Sequence, residues 1–129
     1  YTLPDVSQSV IITRMAGRTP VPEGEALAKM ASHGCTMVLF LSTGLLEDVE
    51  KELMKGGYSP DTPAAIVYKA TWPEEKIFRC TVGTLHETVT GNGLTKTSLI
   101  VVGNCLGDNY LRSLLYHPDF TTEFRKGAQ

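Results

Sequence analysis

An α/β fold, a five-stranded mixed sheet flanked by three or four helices, is what the sequence predicts. Three observations carry the prediction. Short apolar runs rich in β-branched residues recur along the chain; helical apolar spacings fall between several of them; and Gly, Pro, Ser and Asn clusters mark the boundaries. With 129 residues, 42% of them hydrophobic and 20% charged, the composition is that of one ordinary globular domain.

The first strand is expected over Ser7–Thr13, SQSVIIT, between Pro4 and the Gly17-Arg18-Thr19-Pro20 loop. After Val21-Pro22, the stretch Glu23–His33 places Leu27, Met30 and Ala31 on one face, with acids at its start and Gly34 as its stop, and predicts an amphipathic helix. Cys35–Leu41, CTMVLFL, is an apolar run too short for a helix, ended by Ser42-Thr43-Gly44, and suits a strand covered on both faces. Thr43 is placed to cap a second helix, in which Leu46, Val49 and Leu53 share a face, Glu47 and Asp48 complement the dipole and Gly56-Gly57 end the pattern.

Ser59-Pro60-Asp61-Thr62-Pro63 has the composition of a turn and leads into a buried strand, Ala64–Lys69. Trp72-Pro73-Glu74-Glu75 turns the chain again. Lys76–Val82, KIFRCTV, then alternates as a strand with one more exposed face. Thr84 and Glu87 match a capping box for a short helix bearing Leu85 and Val89, stopped by Gly91-Asn92-Gly93. Ser98–Val102 is the last central strand. Beyond Gly103, Tyr110, Leu111, Leu114 and Leu115 suit a small helix, and Phe124–Gly127 a polar tail.

A net charge of −2 without a block of like charge predicts neither nucleic acid nor an anionic membrane as partner. No apolar window is long enough for a membrane span and the first residues lack the pattern of a secretory signal, so the chain reads as cytoplasmic. It opens at Tyr1 inside what reads as a continuing element, and is expected to be part of a longer protein. Cys35, Cys80 and Cys105 are spaced for neither a zinc site nor a disulfide scaffold and are expected as small buried hydrophobes. No metal site is expected.

His33, His86 and His117 lack a neighbouring nucleophile motif and read as surface residues; Gly91–Lys96 lacks phosphate-loop spacing and reads as a turn. Arg14 and Arg18 could bind carboxylates bidentately, although solvated loop arginines are the commoner case. In open α/β sheets ligands sit beyond the carboxyl ends of strands, which draws attention to Leu41–Gly44 and Lys69–Pro73.

The segments LPDVSQSVIITRMAGRTPVPE, CTMVLFLSTG, AAIVYKATWPEEKIFRCTV and SLIVVG, in this order and spacing, resemble the C-terminal half of the tetrapyrrole (corrin/porphyrin) methylases, and the FRKG tail also fits. VYKATWPEEKI is much more specific than a short glycine motif, and the resemblance covers essentially the whole chain. It implies that residues 1–129 form the C-terminal domain of a two-domain enzyme, the N-terminal domain with its GxGPGDP-type loop having no counterpart here. It further implies S-adenosylmethionine as methyl donor, carbon 11 of a cobalt-containing, partly methylated tetrapyrrole on the route to cobalamin as acceptor, cobalt only as part of that substrate, and a homodimer. Carried over by position, cofactor contacts fall on Leu41 and Ser42 and on Lys69, Ala70 and Thr71; Arg14 and Arg18, from their own chemistry, are the substrate candidates. No residue is assigned as catalytic, and the chain alone is expected to be inactive. A metal-free tetrapyrrole as acceptor, or a binding or dimerisation domain without catalysis, are the alternatives.

Overall fold

The computed structural model describes residues 1–40, 43–94 and 98–107. Five strands, β1 (Val10–Arg14), β2 (Thr36–Phe40), β3 (Pro63–Tyr68), β4 (Lys76–Thr81) and β5 (Ser98–Val102), form one sheet in the order β1-β2-β5-β3-β4. Only β1 and β2 run parallel; every other neighbouring pair is antiparallel. The five-stranded mixed sheet of the sequence reading is therefore present, with strand ends displaced by up to three residues. Three helices, α1 (Leu27–Ala31), α2 (Leu46–Gly56) and α3 (Leu85–Gly91), accompany it. The expected small helix at Tyr110–Leu115, His117 and the Phe124–Gly127 tail lie outside the described residues.

Period-two alternation and the strand register divide the sheet into two faces. Met37, Leu39, Ala64, Ile66, Ile100 and Val102 stand on one face and join Leu27 and Ala31 of α1, Leu46, Val49 and Leu53 of α2, and Leu85 and Val89 of α3 in a single core cluster. Burying each of the Leu, Ile, Val and Met side chains contributes about 1.5–3 kcal/mol. The opposite face carries Ile12, Val38, Val101, Ala65, Val67 and Ile77. Its flanks are open: Ile12 is 68% and Ile77 64% exposed.

Four local expectations are corrected. The predicted helix over Glu23–His33 is divided into a 3-10 turn at Glu23–Glu25 and α1, because Ala26 is extended (ψ 140°). The acidic triplet has no apolar side chain to bury, whereas Leu27 and Ala31 one turn apart do. The start of α2 is displaced past Thr43 by another 3-10 turn, so that Leu45 takes the N-cap position. At α3 the Thr84–Glu87 capping box does not form. Thr84 turns its hydroxyl back to accept from the Thr81 amide at 3.0 Å, closing a 3-10 turn at Val82–Thr84. The cysteines are half-buried rather than fully buried, and all three are free.

Candidate ligand edge of the sheet

The register places the ends of three strands along one edge. Arg14, at the end of β1, is level with Phe40 at the end of β2. Leu39 of β2 pairs with Ile100 of β5, which pairs with Ile66 of β3, so that β3 also ends on this side, with Tyr68 opposite Ser98. Arg14 ends β1 at this edge, and Arg18, Lys69, Ala70 and Thr71 lie in the loops that follow β1 and β3 there. Leu41 and Ser42 themselves lie outside the described residues.

Lys69, Ala70 and Thr71 form the turn between β3 and β4. Lys69 (φ 49°) and Thr71 (φ 71°) are both left-handed, and neither is glycine. Left-handed backbone costs an L-residue about 1–2 kcal/mol, and a β-branched residue such as Thr is an outlier there. Three hydrogen bonds hold the turn: the Trp72 amide donates to the Lys69 carbonyl at 3.0 Å, the Glu75 amide to the Trp72 carbonyl at 3.0 Å, and the Thr71 amide to Glu75 Oε1 at 3.2 Å. Lys69 Nζ lies 5.4 Å from the ring centroids of both Tyr68 and Trp72, contacts worth about 0.5–1 kcal/mol at an exposed site. Between these tethered residues Ala70 is exposed, and its amide and carbonyl form no hydrogen bond among the described residues. A strained turn with an open main chain at a sheet edge can meet a flat polar ligand through backbone groups alone.

Across the sheet, Arg14, Met15, Gly17, Arg18, Thr19, Gly44 and Leu45 line an open cleft of about 470 Å³. The guanidinium of Arg14 is engaged by its own loop: Nη1 donates to the Thr19 carbonyl at 3.1 Å and more weakly to that of Met15, and Nη2 donates to the Pro20 carbonyl at 2.9 Å. Arg18 is exposed and forms no hydrogen bond or ion pair among the described residues. The lining holds two cations and no carboxylate, a chemistry suited to an anionic group.

Sequence reasoning included Trp72 in the Lys69–Pro73 edge but passed over Glu75 as a site residue. The signal for Glu75 was its place four residues beyond Thr71, at the end of the turn. It also passed over Ser98, whose buried hydroxyl, at the start of β5 opposite Tyr68, has no hydrogen-bond partner among the described residues. Among the described residues, no three His, Cys, Asp or Glu side chains gather as metal ligands. No helix there is long and apolar enough to cross a membrane.

The family described as Tetrapyrrole (Corrin/Porphyrin) Methylases matches residues 1–86. The chain belongs to the tetrapyrrole methylases. Among curated members of that family, it is 49% identical to a cobalt-precorrin-4 C(11)-methyltransferase of Priestia megaterium, over 99% of this chain and 51% of that protein. It is equally 49% identical to one of Methanocaldococcus jannaschii, over 97% of this chain and 49% of that protein. Identity falls to 36% with a precorrin-4 C(11)-methyltransferase of Pseudomonas aeruginosa, over 98% of this chain and 50% of that one. The chain thus spans about half the length of the curated tetrapyrrole methylases it matches.

The X-ray structure of a cobalamin biosynthetic enzyme, a cobalt precorrin-4 methyltransferase, superposes with a TM-score of 0.77 at 52% identity, covering 79% of this chain and 43% of that one. A uroporphyrin-III C-methyl transferase of Thermus thermophilus, solved with S-adenyl homocysteine, shares the fold at 19% identity. Its TM-score is 0.65, over 82% of this chain and 44% of that one.

Proposed function

We propose that this chain is the C-terminal domain of a two-domain, S-adenosylmethionine-dependent methyltransferase that methylates carbon 11 of cobalt-precorrin-4 in cobalamin biosynthesis. The observation that carries the reading is the 49% identity, over almost the whole chain, to two proteins named for that reaction. The lower identity of 36% to a protein named for the metal-free precorrin favours the cobalt form. In this reading the enzyme is a cytoplasmic homodimer, and cobalt belongs to the substrate.

The sheet edge supplies one wall of the cofactor cleft. Leu41 and Ser42, after β2, and Lys69, Ala70 and Thr71, after β3, lie along the adenosine side. The exposed main chain of Ala70 fits that role, since its unpaired amide and carbonyl can read a purine edge and a methyl side chain permits close approach. Arg18 faces the acceptor side and offers a bidentate contact to a macrocycle carboxylate, while Arg14 holds the loop that carries it. When bound, S-adenosylmethionine supplies an electrophilic methyl on a sulfonium. The chain's own contribution is positioning, which is the larger part of catalysis for a transfer that demands an in-line approach.

The experiment is a calorimetric titration of the full-length enzyme and its Ala70→Phe variant with S-adenosylhomocysteine. A ring at an approached backbone position is expected to weaken binding by about 1–3 kcal/mol, with an unchanged melting temperature. Unchanged affinity in a folded variant would remove Lys69–Thr71 from the site. Turnover of cobalt-precorrin-4 against its metal-free counterpart tests the acceptor.

A further inference from the structure

Thr71 stands at φ 71° with its side chain exposed, and no residue of the Lys69–Glu75 turn belongs to the core cluster. What fixes its peptide is the bond from its amide to Glu75 Oε1 at 3.2 Å, made across the four residues that close the loop back into β4. The Glu75 amide in turn donates to the Trp72 carbonyl, and the Trp72 amide to the Lys69 carbonyl, both at 3.0 Å. Glu75 therefore closes the loop twice, through its side chain and its main chain. Ala70 lies in the adjoining turn closed by the Trp72 amide on the Lys69 carbonyl, between the two left-handed positions, and its amide and carbonyl form no hydrogen bond among the described residues. An ionised carboxylate is an acceptor only, so it suits an amide that would otherwise point away from the strand ladder.

We propose that Glu75 is a positioning residue whose carboxylate anchors the Thr71 amide and so holds the left-handed turn that presents the main chain of Ala70 to the cofactor. The proposal rests on the cofactor reading given above. Glu75 touches neither cofactor nor acceptor in it; it acts through Thr71. Glutamine keeps an acceptor oxygen at the same reach, and alanine keeps none. Glycine at position 71 would adopt the same φ without an anchor, because it lacks the Cβ that makes the left-handed region costly.

In the full-length enzyme, titration with S-adenosylhomocysteine is expected to show Glu75→Ala weakened about five- to tenfold, the scale of one lost hydrogen bond at an exposed site. Glu75→Gln should remain within about twofold of the parent, and Thr71→Gly combined with Glu75→Ala should recover most of the loss. The KM for the tetrapyrrole should stay at the parental value, a split that general destabilisation of the fold would not produce. Parental affinity in Glu75→Ala, or a double variant no better than Glu75→Ala, would overturn the proposal. If Glu75→Ala fails to fold, the comparison of Thr71→Gly/Glu75→Ala with the parent carries the same test. Absence of binding by the parent itself would instead remove the cofactor reading. Hydrogen exchange of the Thr71 amide in the 129-residue chain then reads the anchor directly, and exchange unaltered by Glu75→Ala would show that Glu75 does not hold the turn.

Discussion

Tyr58 shows how one side chain ties the fold together. It follows the glycine pair that ends α2, is 9% exposed, and donates its hydroxyl to the main-chain carbonyl of Cys35, just before β2. Burial, reinforced by negative charge at Cys35 and Cys105 when those thiols ionise, pushes its phenol up to about 12 from an ordinary 10. The folded value lies above the unfolded one, so the stability this group contributes is complete below pH 10 and is lost as pH rises toward 12. The melting temperature of the parent should therefore fall across that interval, and Tyr58→Phe should fall less steeply. At neutral pH the same variant is expected to lose about 0.5–1.5 kcal/mol for the missing hydrogen bond. Equal alkaline slopes for parent and variant would contradict this account. Burial likewise raises the Cys80 thiol, with a Thr88 hydrogen bond opposing it and Glu50 adding to it, which leaves little thiolate there near neutrality.

Among the elements, α1 and α2 approach each other closely at Gly56. Gly56, the last residue of α2, has no room for a side chain: a Cβ there would stand 2.5 Å from both the Ala28 carbonyl oxygen and the Ala31 Cβ. Neither neighbour is the end of a flexible side chain, so the helices would have to separate. Gly56→Ala is expected to destabilise the domain by about 1–3 kcal/mol in urea denaturation, despite the better helix propensity of alanine. Gly91, at the end of α3, has nothing within 4 Å of an added Cβ. Gly91→Ala should leave stability unchanged or raise it by up to about 1 kcal/mol, which makes it the control. Equal stabilities for the two variants would show that the α1–α2 contact is looser than the glycine implies.

For the whole molecule, Ile12, Ile77 and the 47% exposed Phe40 occupy the sheet face opposite the three helices. An exposed apolar surface of this kind favours association, and the domain is expected to be a dimer or larger at high micromolar concentration. A monomer mass by light scattering would count against it. Because the proposed reaction needs both reactants enclosed and aligned, and the chain matches about half of each relative, no methyl transfer is expected from the 129 residues alone. Labelled methyl on a cobalt tetrapyrrole with this chain as sole protein would refute that division of labour.

The five strands and the core-facing residues of α2 were legible in the sequence by itself. Each depends on local chemistry: an apolar run of strand length, a helical apolar spacing, or a turn-forming cluster. Leu46, Val49 and Leu53 were placed on one face by spacing alone, and all three are buried. Helix starts were less legible, since Thr84 had two amides within reach and the competition between them was settled by the 3-10 turn before α3. The strand order β1-β2-β5-β3-β4 was decided only in the tertiary structure, because register comes from fitting faces together across long stretches of chain. The same holds for the turn at Lys69 and Thr71. No propensity puts lysine or threonine in the left-handed region; the carboxylate of Glu75, the Trp72 amide and the pairing of β3 with β4 hold them there together.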